Sequence, residues 1–139
     1  MIRKIEHIGI AVKNLEQANA LYEQLLGIAP YKTEVVPTEK VSTSFFQCGD
    51  SKIELLESTD PDGAIARFIE KRGEGIHHIA FEVADIRAEM RRLAEAGFQL
   101  LSEKPMPGAD HKMVCFVHPK STRGVLVELC QERESFRHD

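Results

Sequence analysis

Two histidine–glutamate combinations recur along the chain at nearly the same spacing. Glu54 lies 47 positions after His7, and Glu128 lies 50 positions after His78. Imidazole nitrogens and carboxylate oxygens are common ligands of divalent transition metals. An ionised carboxylate inside an apolar strand is costly to bury unless it is paired or bound to a metal. The four residues therefore predict one metal site with two His and two Glu ligands, which leaves two octahedral positions open for substrate or water.

The segments that carry these residues also repeat. "HIGIAVKNLEQANALYEQLLG" begins at His7, and "HIAFEVADIRAEMRRLAEAG" begins 71 positions later at His78. Each is typical of an alternating strand and then an amphipathic helix that begins after a capping residue, Asn14 or Asp85. Downstream, "STSFFQCGDSKIELLE" and "MVCFVHPKSTRGVLVEL" each predict a strand, a turn and a strand. The first helix is expected to bury a stripe made of Leu15, Ala18, Leu21, Tyr22 and Leu25.

The repeat predicts an α+β fold of two tandem β-α-β-β-β modules. The remaining strands are expected at about Tyr31–Val36 and Phe98–Glu103. Helices on one sheet face leave the other faces of two curved sheets to meet around the metal site. One domain is expected over residues 1–139, with module 1 at about 3–58, a linking helix at about 60–73 and module 2 at about 75–131. The final "ERESFRHD" predicts a frayed tail.

Strand parity selects His78 rather than its neighbour His77 for the site. Successive side chains of a strand point to opposite faces, so the two histidines cannot face the same pocket. The bulky apolar face of each strand should pack beneath the helices, which leaves the small and polar face for a site. That face carries His7, Gly9 and Ala11 in the first strand and His78, Ala80 and Glu82 in the second.

Composition and charge argue against several other classes. A formal net charge of −4 disfavours a general binder of nucleic acid or anionic membranes. No apolar run approaches the ~20 residues needed to span a bilayer, and no secretory signal is evident. Cys48, Cys115 and Cys130 lack the spacing of a thiolate site, so we expect reduced structural thiols and a cytoplasmic protein. The sequence has no P-loop or GxGxxG motif, which argues against an enzyme that uses ATP or NAD.

Four segments resemble the methylmalonyl-CoA epimerase family of the vicinal oxygen chelate superfamily, also called the glyoxalase fold. They are "HIGIAVKNLEQA", "GDSKIELLE", "GIHHIAFEVADI" and "HPKSTRGVLVEL", in order over roughly residues 5–131. The resemblance implies metal ligation by the four positions reached above, His7, Glu54, His78 and Glu128. It also implies one divalent ion per chain (Co, Zn, Ni or Mn), a small-molecule acyl-CoA substrate and a homodimer.

The resemblance further implies interconversion of (2R)- and (2S)-methylmalonyl-CoA through an enolate chelated by the metal. Glu128 is the implied acid/base on one side of the substrate, and the opposing group is either Glu54 or a bound water. Some epimerases carry a further, non-ligand Glu on the strand that corresponds to Val41–Ser44, near Thr43. This chain has no carboxylate in that run. Some also have Gln at the position of Glu54, so Glu should bind the metal more tightly and make it a weaker Lewis acid.

The loop before the Glu128 strand offers groups that suit an anionic substrate. Lys120, Ser121 and Arg123 lie in "HPKSTRG", and Lys112 precedes the adjoining strand. Cations suit both a free carboxylate and CoA phosphates, so these four are candidate substrate-binding residues. The alternative is that they are solvated turn residues.

Two other functions remain open at this level. Lactoylglutathione lyase uses the same metal shell, but its glutathione-binding features are not evident in the sequence. A non-catalytic glyoxalase-fold binding protein would usually lack the full shell and expose aromatic residues, which form only 6% of this chain. A ring-cleaving dioxygenase normally has a His₂Glu triad for iron, so a fourth ligand at Glu54 disfavours it.

Overall fold

The computed structural model describes residues 1–137, and its strands and helices follow in two similar runs. The strands are Ile2–Ala11 (β1), Lys32–Val36 (β2), Val41–Cys48 (β3), Ser51–Ser58 (β4), Gly75–Val83 (β5), Met106–Pro107 (β6), Lys112–Val117 (β7) and Val127–Glu132 (β8). The helices are Leu15–Leu26 (α1), Ala64–Arg72 (α2) and Ile86–Glu95 (α3). Short 3₁₀ turns cover Pro37–Glu39, Pro119–Thr122 and Arg133–Ser135.

One compact unit comprises residues 7–77. Its strands pair in the order β2-β3-β4-β1, antiparallel except for the parallel pair of β1 and β4. Helix α1 begins where the Asn14 side chain accepts a hydrogen bond from the Gln17 amide, and it ends at Gly27, whose φ of 74° favours glycine. The core of this unit includes Val12, Leu15, Phe46 and Leu55.

The second compact unit comprises residues 1–6 and the chain from His78 onward. Its strands pair in the order β6-β7-β8-β5, again antiparallel except for the parallel pair of β5 and β8. Helix α3 begins where the Asp85 side chain accepts a hydrogen bond from the Ala88 amide. The core of this unit includes Ile86, Met90, Leu93, Cys115 and Leu129.

The two units share one topology. In each, the last strand pairs in parallel with the first and antiparallel with the third, and the helix follows the first strand. This confirms the α+β class and the duplicated β-α-β-β-β modules. Helix α2 lies at Ala64–Arg72, inside the predicted linking segment, and contacts β4. The predicted limits of the domain and its modules stay a prediction.

The strand predicted at Phe98–Glu103 is wrong. That segment makes a single bridge, between Leu100 and Val117, and the paired strand is the two-residue β6 farther along. Phe98 and Leu100 pack against the core of the second unit instead. The apolar alternation of this segment therefore serves burial, and the paired strand begins only after Pro105.

The predicted frayed tail is also wrong for the residues that the structure describes. Arg133–Ser135 form a 3₁₀ turn, and Phe136 is buried in the core of the second unit. The guanidinium of Arg87 lies 4.8 Å from the centroid of the Phe136 ring. One aromatic side chain thus anchors a segment whose composition is otherwise polar. His138 and Asp139 lie outside the described residues.

The buried stripe of α1 is shifted from the predicted one. Leu15 is buried and Ala18, Tyr22 and Leu26 pack against the same core, with the Tyr22 ring 6.5 Å from that of Phe46. Leu21 and Leu25 were predicted in the stripe but are 61% and 71% exposed. Packing of the sheet against one side of the helix decides which of two adjacent leucines is buried.

The three cysteines are free, as expected for structural thiols. Burial raises the pKa of the Cys115 and Cys130 thiols above the ordinary value, which keeps both protonated. Within residues 1–137, no helix has the length and apolar character that a membrane span requires.

Candidate metal and catalytic site

The first histidine–glutamate pair lies on two adjacent parallel strands, β1 and β4. Their register places Gly9 beside Glu54, so no side chain projects from that neighbouring position. His7 Nδ1 lies 3.1 Å from Glu54 Oε2, and neither side chain is more than 6% exposed. Two residues far apart in the chain thus form a buried contact.

The second pair repeats this arrangement on β5 and β8. Ala80 lies beside Glu128 in the register, at the position equivalent to Gly9. His78 Nε2 lies 3.2 Å from Glu128 Oε1, and neither side chain is more than 8% exposed. The internal repeat is therefore preserved at the level of side-chain contacts, and each compact unit carries one buried pair.

A phenylalanine faces each glutamate from the antiparallel neighbouring strand. Phe45 of β3 lies opposite Glu54, and Phe116 of β7 lies opposite Glu128. The Phe116 ring meets the His78 ring edge to face, with centroids 5.9 Å apart. Both rings lower the polarity around the carboxylates, which strengthens attraction to a bound cation. Neither ring was predicted, although their separation of 71 positions equals that of the histidines.

The donor atoms of the two pairs suit a divalent metal. All four predicted ligands, His7, Glu54, His78 and Glu128, are buried. A buried carboxylate needs a cation or hydrogen-bond donors to offset its lost hydration. Imidazole nitrogen and carboxylate oxygen together are borderline-to-hard donors, which match Zn, Co, Ni or Mn. The residues present therefore fit the ion that the sequence predicts.

His77 contacts a different group from its neighbour. Its ring packs edge to face on Phe68 of α2, with centroids 5.0 Å apart. His78, by contrast, contacts Glu128. The alternation of side chains along β5 thus gives one histidine to helix packing and the other to the site, as strand parity predicts.

A buried lysine accompanies the first pair and was not predicted. Lys52 lies opposite His7 in the register of β1 and β4, two residues before Glu54 on the same face of β4. Its side chain is buried. A buried ammonium offsets the negative charge of a carboxylate on the same face. The spacing of two residues from Glu54 in an alternating strand was the signal available in the sequence.

Two of the predicted substrate-binding residues take part in fold contacts. Lys112 is buried, and its Nζ donates to Glu132 Oε1 at 2.5 Å. Ser121 Oγ accepts a hydrogen bond from the Gln99 backbone amide at 2.9 Å. These contacts stabilise the ends of β7 and of the 3₁₀ turn beside it.

The other two candidates, Lys120 and Arg123, are exposed. They lie on the turn at Pro119–Thr122 and just after it, and Arg123 has a left-handed φ of 58°. The His118 ring accepts a hydrogen bond from the Lys120 amide at 3.0 Å, which holds the start of the turn. The turn therefore presents two cationic side chains to solvent, where an anionic group can reach them.

Residues 6–116 match the family described as the Glyoxalase/Bleomycin resistance protein/Dioxygenase superfamily. The chain is 44% identical to an ethylmalonyl-CoA/methylmalonyl-CoA epimerase of Cereibacter sphaeroides, over 94% of this chain and 99% of that protein. It is 40% identical to the mitochondrial methylmalonyl-CoA epimerase of Homo sapiens, over 92% of this chain and 73% of that protein.

A solved structure gives the same result. A variant of Streptomyces coelicolor methylmalonyl-CoA epimerase, in complex with 2-nitronate-propionyl-CoA, superposes with a TM-score of 0.90. It is 33% identical and covers 95% of this chain and 99% of its own. The similarity thus extends over almost the whole sequence and both modules. The chain belongs to the glyoxalase/bleomycin resistance protein/dioxygenase superfamily, and within it to the branch that contains the methylmalonyl-CoA epimerases.

Proposed function

We propose that this protein is a metal-dependent epimerase that interconverts (2R)- and (2S)-methylmalonyl-CoA. The observation that carries the proposal is the repeated, buried His–Glu pair in a chain that is 44% identical to an ethylmalonyl-CoA/methylmalonyl-CoA epimerase. The relatives act on, or bind, acyl-CoA compounds according to their names. The imidazole and carboxylate groups found in both units suit a metal ion that stabilises an enolate of such a compound.

We propose that His7, Glu54, His78 and Glu128 together hold one divalent ion per chain. Each unit supplies one imidazole and one carboxylate from equivalent strand positions, which supports a single shared ion. When bound, such an ion supplies a Lewis acid for the negative charge that develops on the substrate oxygens. We propose that the ion is Co, Zn, Ni or Mn.

Glu128 is the proposed acid/base residue on one side of C2, and the group on the other side is Glu54 or a bound water. The C2 proton of the substrate lies between a thioester and a carboxylate, so its removal leaves charge that both groups can delocalise. A carboxylate held beside C2 accepts that proton, and a group on the other side returns one. General acid–base catalysis of this kind is worth about 10²–10⁴-fold per step. Phe45 and Phe116 lie opposite the two carboxylates on the neighbouring strands and make their surroundings less polar.

Lys120 and Arg123 are proposed to contact the phosphates of the CoA moiety. Both are exposed cations on the turn that precedes the Glu128 strand, and arginine in particular binds phosphate with two parallel hydrogen bonds. Lys112 and Ser121 are less accessible for this role, because Lys112 already donates to Glu132 and Ser121 accepts from the Gln99 amide.

Exchange of the C2 hydrogen tests this function. Protein reconstituted with Zn, Co, Mn or Ni is incubated with methylmalonyl-CoA in D₂O, and deuterium at C2 and inversion are followed together. We expect both with at least one metal, and a loss of about 10²-fold or more in Glu128→Ala. Glu134→Ala, an exposed glutamate in the same unit, is the matched control. Turnover of the methylglyoxal–glutathione adduct without C2 exchange would instead indicate a lactoylglutathione lyase.

We propose further that the protein is a homodimer, as the resemblance implies. Leu21 and Leu25 are largely exposed on α1, and exposed apolar side chains that lie together indicate a protein-contact surface. Light scattering after size exclusion should give twice the chain mass for wild type and a smaller mass for Leu25→Lys. A chain that stays monomeric at high concentration would contradict the proposal. The free thiols support a cytoplasmic location.

A further inference from the structure

We propose that Glu34 is the second proton-transfer residue of the epimerisation, an assignment that rests on the function proposed above. Inversion at C2 needs a proton acceptor and a proton donor on opposite sides of the carbon. Glu128 was assigned one side, and the choice between Glu54 and water was open for the other. Glu34 was not a candidate in the sequence.

The strand register places Glu34 on the same sheet face as Glu54. Glu34 of β2 lies opposite Thr43 of β3, and Phe45, two residues along β3, lies opposite Glu54 of β4. Residues opposite each other in an antiparallel pair share a face, as do residues two apart in one strand. The run Val41–Ser44 has no carboxylate, and the adjacent strand supplies one.

The separation of the two glutamates suits a small substrate between them. They lie two strands apart, at about 4.8 Å per strand, and two residues out of step, at about 3.4 Å per residue. Their Cα atoms are therefore roughly 12 Å apart by this geometry. The Phe45 position lies between them on the same face, and a separation of this size is what one acyl carbon and its substituents need between two carboxylates.

Glu34 also has contact with solvent, which an acid/base needs in order to exchange its proton. Its side chain is 35% exposed, and Lys32 Nζ lies 3.4 Å from its Oε1. The same ammonium lies 5.2 Å from the centroid of the Phe45 ring, so the lysine holds the carboxylate near the face that carries Glu54. Glu54, by contrast, is buried against His7 and is a proposed metal ligand.

A second observation points to a ligand at this place. Thr43 is fully buried, and its Oγ1 has no hydrogen-bond partner among residues 1–137. Buried hydroxyl groups are normally satisfied, and an exception calls for an explanation. Thr43 lies directly opposite Glu34 on the face of Glu54. A substrate oxygen or the Glu34 carboxylate, once drawn in by substrate, would accept its hydrogen bond.

The proton-transfer step balances without a further reactant. The C2–H bond breaks, the proton bonds to a carboxylate oxygen of Glu34, and the electron pair of that bond moves into the thioester carbonyl to give an enolate. The group on the opposite side then gives a proton to C2 and forms the new C–H bond. Glu34 passes its proton to water, and the opposite group takes one up. The reverse direction exchanges the two roles.

Exchange measured separately on each C2 epimer tests the assignment. Wild type, Glu34→Gln and the control Glu23→Gln are incubated in D₂O with (2R)- or (2S)-methylmalonyl-CoA. Glu23 is exposed on α1 of the same unit, so its variant receives the same chemical change away from the site. We expect epimerisation by Glu34→Gln to fall by about 10²-fold or more, with deuterium exchange retained for only one of the two epimers.

Three results would overturn the role. If Glu34→Gln epimerises the substrate at the wild-type rate, Glu34 is not a proton-transfer residue. An equal loss of exchange from both epimers indicates that Glu34 binds or positions substrate rather than transferring one proton. A wild type that exchanges neither epimer overturns the proposed function itself, and with it this role. Equal metal content in the three proteins, measured by elemental analysis, separates loss of the ion from loss of proton transfer.

Discussion

The side chain of Gln131 accepts a hydrogen bond from the backbone amide of Ile86, with Oε1 2.9 Å from the nitrogen. This contact ties the start of α3 to β8, three residues after Glu128. The first module has the same device: Glu57, three residues after Glu54, accepts from the Leu15 amide at 2.6 Å. The strand that carries each proposed glutamate ligand thus also anchors the start of the helix of its own module, since helix starts have unsatisfied amides.

Removal of the Gln131 anchor should destabilise the second unit. In Gln131→Ala the buried Ile86 amide loses its acceptor, and we expect the free energy of unfolding to fall by about 1–3 kcal/mol. Urea unfolding followed by circular dichroism measures the change. Gln24→Ala on the exposed side of α1 is the control and should change stability by less than about 0.5 kcal/mol. Equal effects of the two substitutions would contradict the anchoring role.

Substitution of the two adjacent histidines should separate metal binding from packing. We expect His78→Ala to lose most of its bound divalent ion, because one proposed ligand is gone, and His77→Ala to keep about one ion per chain. Elemental analysis after reconstitution and dialysis gives the stoichiometry. Two ions per chain in wild type, or equal metal loss in both variants, would rule out a single ion held by both pairs.

Replacement of Glu54 by glutamine should weaken metal binding while leaving the fold unchanged. The substitution removes one negative charge from the donor set, so we expect metal affinity to fall by about 10–100-fold. Electrophilic activation of the substrate should increase per bound ion, because a neutral ligand donates less charge. Competition with a chelator measures affinity, and kcat at saturating metal measures activation. Unchanged affinity in Glu54→Gln would exclude Glu54 as a ligand.

Thr43→Val should raise the stability of the protein and lower its epimerase activity. The substitution keeps the shape of the side chain and removes a buried hydroxyl that has no partner among the described residues. We expect unfolding to cost about 1 kcal/mol more and kcat for epimerisation to fall. Thr38→Val, at an exposed threonine between β2 and β3, is the control. A variant that is less stable than wild type would show that the hydroxyl is satisfied in the folded protein.

The carboxyl of Glu89 should contribute to stability in a pH-dependent way. A hydrogen bond from the Arg92 guanidinium, 3.0 Å away, holds the pKa of this carboxyl below its ordinary value of 4.5. A pKa lower in the folded than in the unfolded state gives stability that is present above pH 4.5 and is lost as the pH falls through the folded value.

Comparison of wild type with Glu89→Gln between pH 7 and pH 3 checks this sign. The stability difference in favour of wild type should be largest near neutral pH and should shrink on acidification. Urea unfolding at each pH gives the difference directly. If the stability advantage of wild type grew as the pH fell, the pKa of Glu89 would be raised by folding rather than lowered.

The two His–Glu pairs of the proposed site could be predicted from the sequence because they depend on local patterns. The alternation of side chains selected His78 over His77, and the repeat of 71 positions paired it with His7. A glutamate between apolar residues in the last strand of each half completed the set. Each of these signals needs only the two-residue period of a strand and a comparison of the two halves.

Other features were decided by the tertiary structure. Phe98–Glu103 alternates like a strand but finds only one bridging partner, and Phe136 is buried despite its polar neighbours. Leu25 is exposed where a helical stripe predicts burial. In each case the outcome depends on which surface lies opposite, and a local pattern carries no information about that.

The sheet face that carries Glu34, Thr43 and Glu54 also depends partly on local sequence and partly on tertiary structure. The sequence by itself determined that each residue belongs to a strand of module 1. Only the pairing of β2 with β3 and of β3 with β4 brought them onto one face, since register is set by contacts between strands and a shift of one residue reverses every side chain. Residue types and their period are local properties, whereas the neighbours that a side chain acquires arise from long-range pairing.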